Sequence, residues 1–429
     1  MRVVHLSRSA SLGGAARAAY RIHGALRAQG VDSQFLTKHN PNNFEDVIGP
    51  RGKKASRAHK RRVRQVNHVL NVIAGSSAEY RSVGILPSNV ARDVAQLKPD
   101  LTHLHWVNGE MMSIADIGRI KGPALWTLHD MWAFGGARHT YSDAGWVHGF
   151  STQGAAGLTR ESTLDGWVWR RKKRNWVRPF HILTPSSWLA NCVRDSALMQ
   201  GWPVEVCPNP LDVSVWKPQN KRVARQALDL DPDARYVLFG AMAAENDKNK
   251  GFDLLLDALS QLPDNRNTKA LVFGNLGPLP DSIHSIPAHG FGVVSDDARL
   301  ATIYSAGDVM VVPSRIDNLP QTATEALACG TPVAAFDTCG LPDIVLHGET
   351  GLLAPAFDTA ALARAIDTLA DEGWNHVRSD AGQNGTLSER SHICRDFAVA
   401  QYHPEHIAKK HIEIYGRVLD AASGAIRTS

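Results

Sequence analysis

The chain has 429 residues, 43% hydrophobic and 21% charged, which is the composition of a soluble globular protein of two or three domains with sizeable cores. It has no apolar run of about 18 residues and no leader-like N-terminus, so neither a membrane span nor a secretory signal is expected, and the cytoplasm is its expected location. Five scattered cysteines without a C-x-x-C argue against a disulfide framework or structural zinc, and a net charge of +5 matters less than where the charge lies.

In chain order, Arg2 to Ser7 reads as a buried strand, followed by a turn with Gly13 and Gly14 and a helical pattern that closes at Gly30. Glycines at such a mouth let backbone N–H groups approach a phosphate, and the helix dipole favours its charge. The turn lacks the G-x-G-x-x-G pattern, so a plain tight turn stays open beside the phosphate reading. Val31 to Thr37 is a second strand, and a long polar insertion follows it.

Asp100 to Trp106 and Pro123 to Asp130 read as parallel strands ending near His105 and His129. Ligands of open α/β sheets bind at the carboxyl ends of strands, so both histidines are candidates for function. His103 and His105 share a strand face, but the sequence offers no third ligand, and no metal site is expected. Met131 to Gly166 reads as a long loop, and Phe180 to Val193 as a strand, a serine cap and a helix. Pro208 and Pro210 mark the exit, which divides the chain into residues 1–207 and 208–404, with a helix at 405–429 that packs back on either domain.

Two basic runs stand out, Arg51 to Gln65 and Trp169 to Arg178, the second flanked by Trp167, Trp169 and Trp176. Arg and Lys beside Trp suit an anionic membrane surface, and a solvated helix face equally. Both runs avoid the expected crevice, so nucleic acid is not an expected partner.

From Ala234 strands alternate with helices of about 10 to 12 residues, which predicts a second parallel sheet. Lys248 and Lys250 follow its first strand. Pro313 to Gly330 places Asp317 in a turn after a buried strand, Asn318 as a cap, Pro320 as the first helical residue and Glu325 further along that helix. The two carboxylates should then lie something on the order of 8 to 12 Å apart, a layout that suits two contacts along one elongated ligand with an anionic middle. Asp229, Asp231 and Asp233 fall at the other end of the sheet and do not form a calcium loop. No G-x-S-x-G, H-E-x-x-H or P-loop pattern occurs.

The stretch from Asp308 to Pro355, with its acid, seven residues, Glu spacing followed by Gly330-Thr331-Pro332-Val333, resembles the retaining GT-B glycosyltransferases of family 4. VCPNPLD (Val206 to Asp212), Lys250 to Phe252 and Thr127 to Asp130 support the likeness, and WTLHDMWAFGG resembles the branch that assembles capsule and colanic-acid polysaccharides. The resemblance implies two Rossmann-like domains facing across a cleft. It also implies a metal-independent transfer of a hexose from a UDP- or GDP-sugar to a glycan or lipid-linked saccharide. Carried over by position, Glu325 holds the donor ribose. Asp317, with Asn318 and Leu319, holds the sugar, and Lys250 and the Gly13–Gly14 turn meet the diphosphate. Base contacts fall near Asn275 and Val293, and His129 lies at the reacting centre with Asp317. His105, Trp106, Asp130 and Arg138 are the acceptor-side candidates. The sequence departs from the family pattern at Asp317, usually Glu, and at Ala241 and Met242, where an arginine is common; Arg315 or Lys248 is the available substitute. A sugar-nucleotide hydrolase or epimerase of the same fold, or a non-catalytic sugar-nucleotide binder, are the alternatives.

Overall fold

The computed structural model describes residues 1–40, 44–49, 61, 63–66, 80–150, 160–242, 247–263, 267–275, 282–379 and 384–427. The chain forms two compact units, one of Met1–Pro210 with Pro404–Ser429 and one of Leu211–His403. Most of the first basic run, residues 51–60 and 62, lies outside the described residues.

The first unit is built on strands β1 (Arg2–Leu6), β2 (Asp32–Leu36), β3 (Val47–Ile48), β4 (Leu101–Leu104), β5 (Ala124–Thr127), β6 (His181–Thr184) and β7 (Val204–Val206). They pair in parallel in the order β3-β2-β1-β4-β5-β6-β7. All four residues of β4 are buried, as expected of a strand covered on both faces. The C-terminal helix Pro404–Arg427 covers one face by laying Ile407, Ala408, Ile414 and Tyr415 on Val3, Leu101, Leu125 and Leu183. Trp126, Trp132, Trp176 and Phe180 pack edge to face within the other core.

The second unit holds β8 (Arg235–Met242), β9 (Thr268–Asn275), β10 (Ser282–Ile283), β11 (Ile286–Gly292), β12 (Val309–Val312), β13 (Val333–Phe336) and β14 (Gly351–Ala354), in the order β10-β11-β9-β8-β12-β13-β14. Pairing is parallel except between β10 and β11. β11 is a strand that the apolar pattern of the sequence does not announce. Its IPAHGFG is mostly uncovered and carries proline and glycine, so it lacks the apolar pattern of a buried strand. The Asp308 carboxylate, wholly buried, is satisfied by Arg225 at 2.8 Å, Lys221 at 3.0 Å and the Tyr236 N–H at 2.7 Å, which anchors the start of β12.

The second basic run is not one exposed face. It lies on the helix Arg160–Asn175 and just beyond it, and Trp169, Lys172 and Trp176 are buried. The Lys172 ammonium donates to the carbonyls of Trp132, Gly135 and Gly136 and lies 3.9 Å from the Trp132 ring centre. Arg170, Lys173, Arg174, Val177 and Arg178 are the members left exposed.

Candidate functional site

In the second unit the strand order reverses between β8 and β12, so the loops that follow these neighbouring strands part and leave a crevice. Those loops carry Lys250 and Asp317. After β8, Asp247 accepts the Asn249 N–H at 3.0 Å and closes a single 3-10 turn, Lys248–Lys250. Gly251 then takes φ 65°, and a Cβ there would sit 1.9 Å from the Pro313 carbonyl oxygen, so only glycine lets the two loops meet. The Arg315 N–H donates to the Asn249 carbonyl at 2.7 Å and stitches them further.

Lys250 Nζ lies 2.6 Å from Asp317 Oδ2, and Ser314 Oγ donates to the same oxygen at 3.4 Å. Burial lowers the Lys250 pKa, but the Asp317 carboxylate outweighs it, so the ammonium ends above its ordinary value and stays charged. The helix after this turn is Gln321–Ala328. Its N-cap is Pro320, not Asn318 as the sequence suggests, and no side chain caps it. Pro320 has ψ 119°, outside the helical range, which moves the start one residue on. Glu325 faces inward, 1% exposed, and accepts from the Tyr304 hydroxyl at 3.2 Å. Asn318 and Leu319 are buried beside the turn. Asn275 ends β9 and Val293 follows β11, so both fall at the carboxyl edge of adjacent strands, with Val293 largely exposed. Arg315 is spoken for: its guanidinium binds Asp253 with 2.7 and 2.6 Å contacts and the Lys248 carbonyl at 3.0 Å. Its guanidinium is thus engaged within the crevice wall, and Lys248 and Lys250 are the lysines of the neighbouring turn.

In the first unit the order reverses between β1 and β4. A cavity of about 450 Å³ opens elsewhere, at the amino ends of β5 and β6, whereas the smaller one of about 310 Å³ lies at this reversal. The smaller is the one that fits function, because the carboxyl ends of the strands feed it. Ser7, Arg8, Gly13, Gly14, His39 and Trp106 line it. The helix Gly14–Ala28 begins there, with Gly13 at φ 87° and no side-chain hydrogen bond from that N-cap. Arg8 was not singled out by sequence reasoning, although it directly follows the first strand. Its guanidinium stands 5.5 Å from the Trp106 ring centre and donates to the Tyr80 hydroxyl at 3.2 Å, and among the described residues no carboxylate pairs with it.

Asp130 organises the neighbouring loop. One oxygen accepts from Trp106 Nε1 at 2.7 Å and bonds His139 Nδ1 at 2.6 Å, and the other accepts the Trp132 N–H at 2.9 Å. Burial raises the carboxyl, and His139 with these donors more than offsets it, so Asp130 titrates below the usual range. Its place is behind Trp106, which it holds. Arg138, expected on the acceptor side, has its guanidinium engaged by Asp165 at 2.8 Å, Asp143 at 2.7 Å and the Tyr141 ring. His129, half-buried, has Nε2 at 3.4 Å from His105 Nδ1.

The third histidine that the sequence does not offer to His103 and His105 comes from β1. Register places His5 opposite His103, and nitrogens of the three rings lie within 4.8 Å. All but His5 Nε2 are engaged by hydrogen bonds all the same. His103 bonds the Tyr415 hydroxyl and Thr127, each at 2.7 Å, and His5 bonds His105 at 2.9 Å, so the trio fits a hydrogen-bonded pack better than a metal centre.

Two parallel sheets, each with a crevice at its reversal, define the GT-B class of fold, and solved structures agree. A sucrose-phosphate synthase from Thermosynechococcus elongatus superposes with a TM-score of 0.65 over 98% of this chain and 100% of its own, at 20% identity. HepE of Anabaena, solved in complex with UDP-glucose, does so at 0.60 over 97% and 100%, at 16% identity. Residues 12–215 match the family described as Glycosyltransferase Family 4, and residues 234–372 that described as Glycosyl transferases group 1. Each of the two units thus matches a glycosyltransferase family model, over a little under half and about a third of the chain. A D-inositol 3-phosphate glycosyltransferase 2 from Catenulispora acidiphila is 34% identical over 194 residues, 41% of this chain and 44% of that relative. The chain thus matches less than half the length of that curated relative.

Proposed function

We propose that the protein transfers a hexosyl group from a nucleotide diphosphate sugar to an acceptor hydroxyl, with retention at the anomeric carbon and without a metal. The observation that carries this reading is the turn at which Lys250 pairs with Asp317 at 2.6 Å, one short helix away from the buried Glu325. An elongated donor needs a cation for its diphosphate, an acid for its ribose hydroxyls and a polar wall for its sugar, and the chain supplies them as Lys250, Glu325, and Asp317 with Asn318 and Leu319. In the reaction the bond from the anomeric carbon to the diphosphate oxygen breaks. The acceptor oxygen bonds the same face of that carbon, and its proton passes to the departing phosphate. Lys250 and uncapped helix N–H groups balance the charge that develops. The Gly13–Gly14 turn is assigned to the donor, and His129 to the reacting centre. That HepE was solved with UDP-glucose favours a uridine donor.

The acceptor we assign is a lipid-linked saccharide of a surface polysaccharide, met by a protein that rests on the membrane through its exposed Arg170, Lys173, Arg174 and Val177. No helix among the described residues is long and apolar enough to cross a membrane. A second reading, a phosphorylated polyol acceptor, is favoured by Arg8, which lines a cavity and has no carboxylate partner among the described residues, and by the name of the inositol-phosphate relatives. Product analysis with a UDP-sugar decides: transfer to a lipid-linked acceptor supports the first, transfer only to a phosphorylated polyol the second, and bare hydrolysis neither.

A further inference from the structure

Arg8 follows β1 directly, and its guanidinium sits in a slot made by Trp106 and Gly109, which follow β4, and by Tyr80. The guanidinium carbon stands 5.5 Å from the Trp106 ring centre, and Nη1 donates to the Tyr80 hydroxyl at 3.2 Å. Gly109, at φ 59°, makes room for both partners. A Cβ there would stand 2.6 Å from the Tyr80 hydroxyl oxygen and 2.8 Å from Arg8 Nη1. The backbone of Arg8 is fixed as well, since its N–H donates to the Trp106 carbonyl at 2.9 Å and its carbonyl accepts from Thr37 Oγ1 at 2.7 Å.

One acid holds the slot from behind. Asp130 Oδ2 accepts from Trp106 Nε1 at 2.7 Å and bonds His139 Nδ1 at 2.6 Å. His139 Nε2 in turn bonds Ser82 Oγ at 2.9 Å, and Ser82 Oγ accepts the Gly109 N–H at 3.2 Å. The Trp106 wall and the Gly109 floor are thus tied to the same carboxylate, which is spent on them and not on Arg8.

A guanidinium carries five N–H groups in a planar fork, and among the described residues Tyr80 is the one side-chain acceptor that Arg8 meets. Ordering an arginine costs rotamer entropy, and here ring contact and hydrogen bonds have ordered it before a ligand arrives. The cavity of about 310 Å³ that Arg8 lines with Trp106 has no acid in its lining. A fixed fork whose charge is not neutralised suits the paired oxygens of a phosphate or a carboxylate.

We propose that Arg8, held by Tyr80, Trp106 and Gly109, determines acceptor specificity, and that the acceptor is an anionic saccharide or polyol whose phosphate or carboxylate docks on the Arg8 fork. Lys250 and the Gly13–Gly14 turn already serve the donor diphosphate, which leaves the Arg8 charge for the acceptor. That assignment to the acceptor rests on the glycosyltransferase reading; the anion subsite itself does not.

The test is titration calorimetry on the full chain with UDP in saturating excess, with inorganic phosphate, glucose 6-phosphate, glucuronate and glucose as probes. An anionic probe should bind about tenfold tighter than glucose or better, and Arg8→Gln should abolish that preference. Tighter binding of glucose 6-phosphate identifies a phosphorylated acceptor, and tighter binding of glucuronate a uronate. Arg8→Lys keeps the charge without the fork and should recover part of the preference. Gly109→Ala, which pushes on Nη1, should lose part of it. The UDP Kd should stay within about twofold of wild type in Arg8→Gln. No anionic preference in the wild type, or the same preference in a folded Arg8→Gln, would overturn the inference. So would a loss of UDP affinity in Arg8→Gln like that expected of Lys250→Met, because Arg8 would then belong to the donor. If the wild type binds an anionic probe through Arg8 but does not bind UDP, the subsite stands and the glycosyltransferase reading falls.

Discussion

Lys250 Nζ and Asp317 Oδ2, 2.6 Å apart, join the loops that follow two adjacent strands and so hold the crevice of the second unit in shape. Burial opposes the charge on Lys250 and Asp317 restores it, which leaves the lysine pKa raised. The stability this pairing contributes is complete below the unfolded lysine value of about 10.4 and is lost only as pH rises through the folded value, so the pair is intact at neutral pH. The two partners should nevertheless fail differently. Lys250→Met is expected to weaken UDP itself by about 1.5 to 3 kcal/mol, the value of a hydrogen bond to a charged group. Asp317→Asn should leave UDP affinity nearly unchanged and alter the ranking of UDP-sugars. Titration calorimetry with UDP and a UDP-sugar series reads both, and equal losses for UDP in the two variants would contradict the division of roles.

Lys172 gives a prediction of a different kind. Its ammonium satisfies three carbonyls of the loop that begins just after Asp130, and burial lowers its pKa well below the ordinary value. Lys172→Met keeps the volume and leaves those carbonyls without a donor, at a cost of about 2 to 5 kcal/mol. Denaturant unfolding of the variant should show that loss, and a midpoint unchanged from wild type would mean that water replaces the lysine at no cost.

Acid should act on the first unit. His5, His103, His105, His129 and His411 are all there, buried or, for His129, half-buried, and all held below the ordinary imidazole value by desolvation, the last two at about 4. Above about pH 6.5 both folded and unfolded forms are neutral and no penalty exists. Below it the unfolded chain binds protons that the folded unit refuses, so stability falls by up to about 1.4 kcal/mol per pH unit for each such group. Calorimetry from pH 7.5 to 5 should show one unfolding transition moving down steeply, and a flat profile would mean that these rings are protonated in place.

Membrane contact is now a sharper expectation than the sequence allowed. Trp169, Trp176 and Lys172 are core residues, which leaves Trp167, Arg170, Lys173, Arg174, Val177 and Arg178 exposed to meet lipid. Replacing Arg170, Lys173 and Arg174 by Gln should weaken sedimentation with anionic vesicles by about 1 kcal/mol per residue and leave transfer to a soluble acceptor intact. Vesicle binding that persists in this triple variant would place the membrane face elsewhere.

What was legible in the sequence was periodic or punctuated. Buried strands such as Val309–Val312 announce themselves as apolar runs, Gly251 marks the turn where two loops approach closely, and Gly13, at φ 87°, marks the start of the first helix. The candidate residues at Lys250, Asp317 and Glu325 were legible because strand ends locate crevices. What was not legible depends on side chains from distant segments. Nothing in the spacing of Arg138 announces Asp165, nothing in the run from Trp169 says that Lys172 turns inward, and His5 meets His105 only through pairing across 100 residues. β11 is not legible because its mostly uncovered IPAHGFG carries little apolar pattern.

The central claim is that Glu325, buried and bonded to Tyr304 at 3.2 Å, holds the donor nucleoside. The direct measurement is the thermal stabilisation of wild type and Glu325→Ala by UDP-, GDP- and ADP-sugars, since a ligand bound to the folded state at 100 times its Kd adds about 2.7 kcal/mol. Stabilisation of the wild type by one nucleotide sugar, lost in a folded Glu325→Ala that no longer transfers sugar, is the predicted result. Equal stabilisation and normal turnover in Glu325→Ala would contradict it.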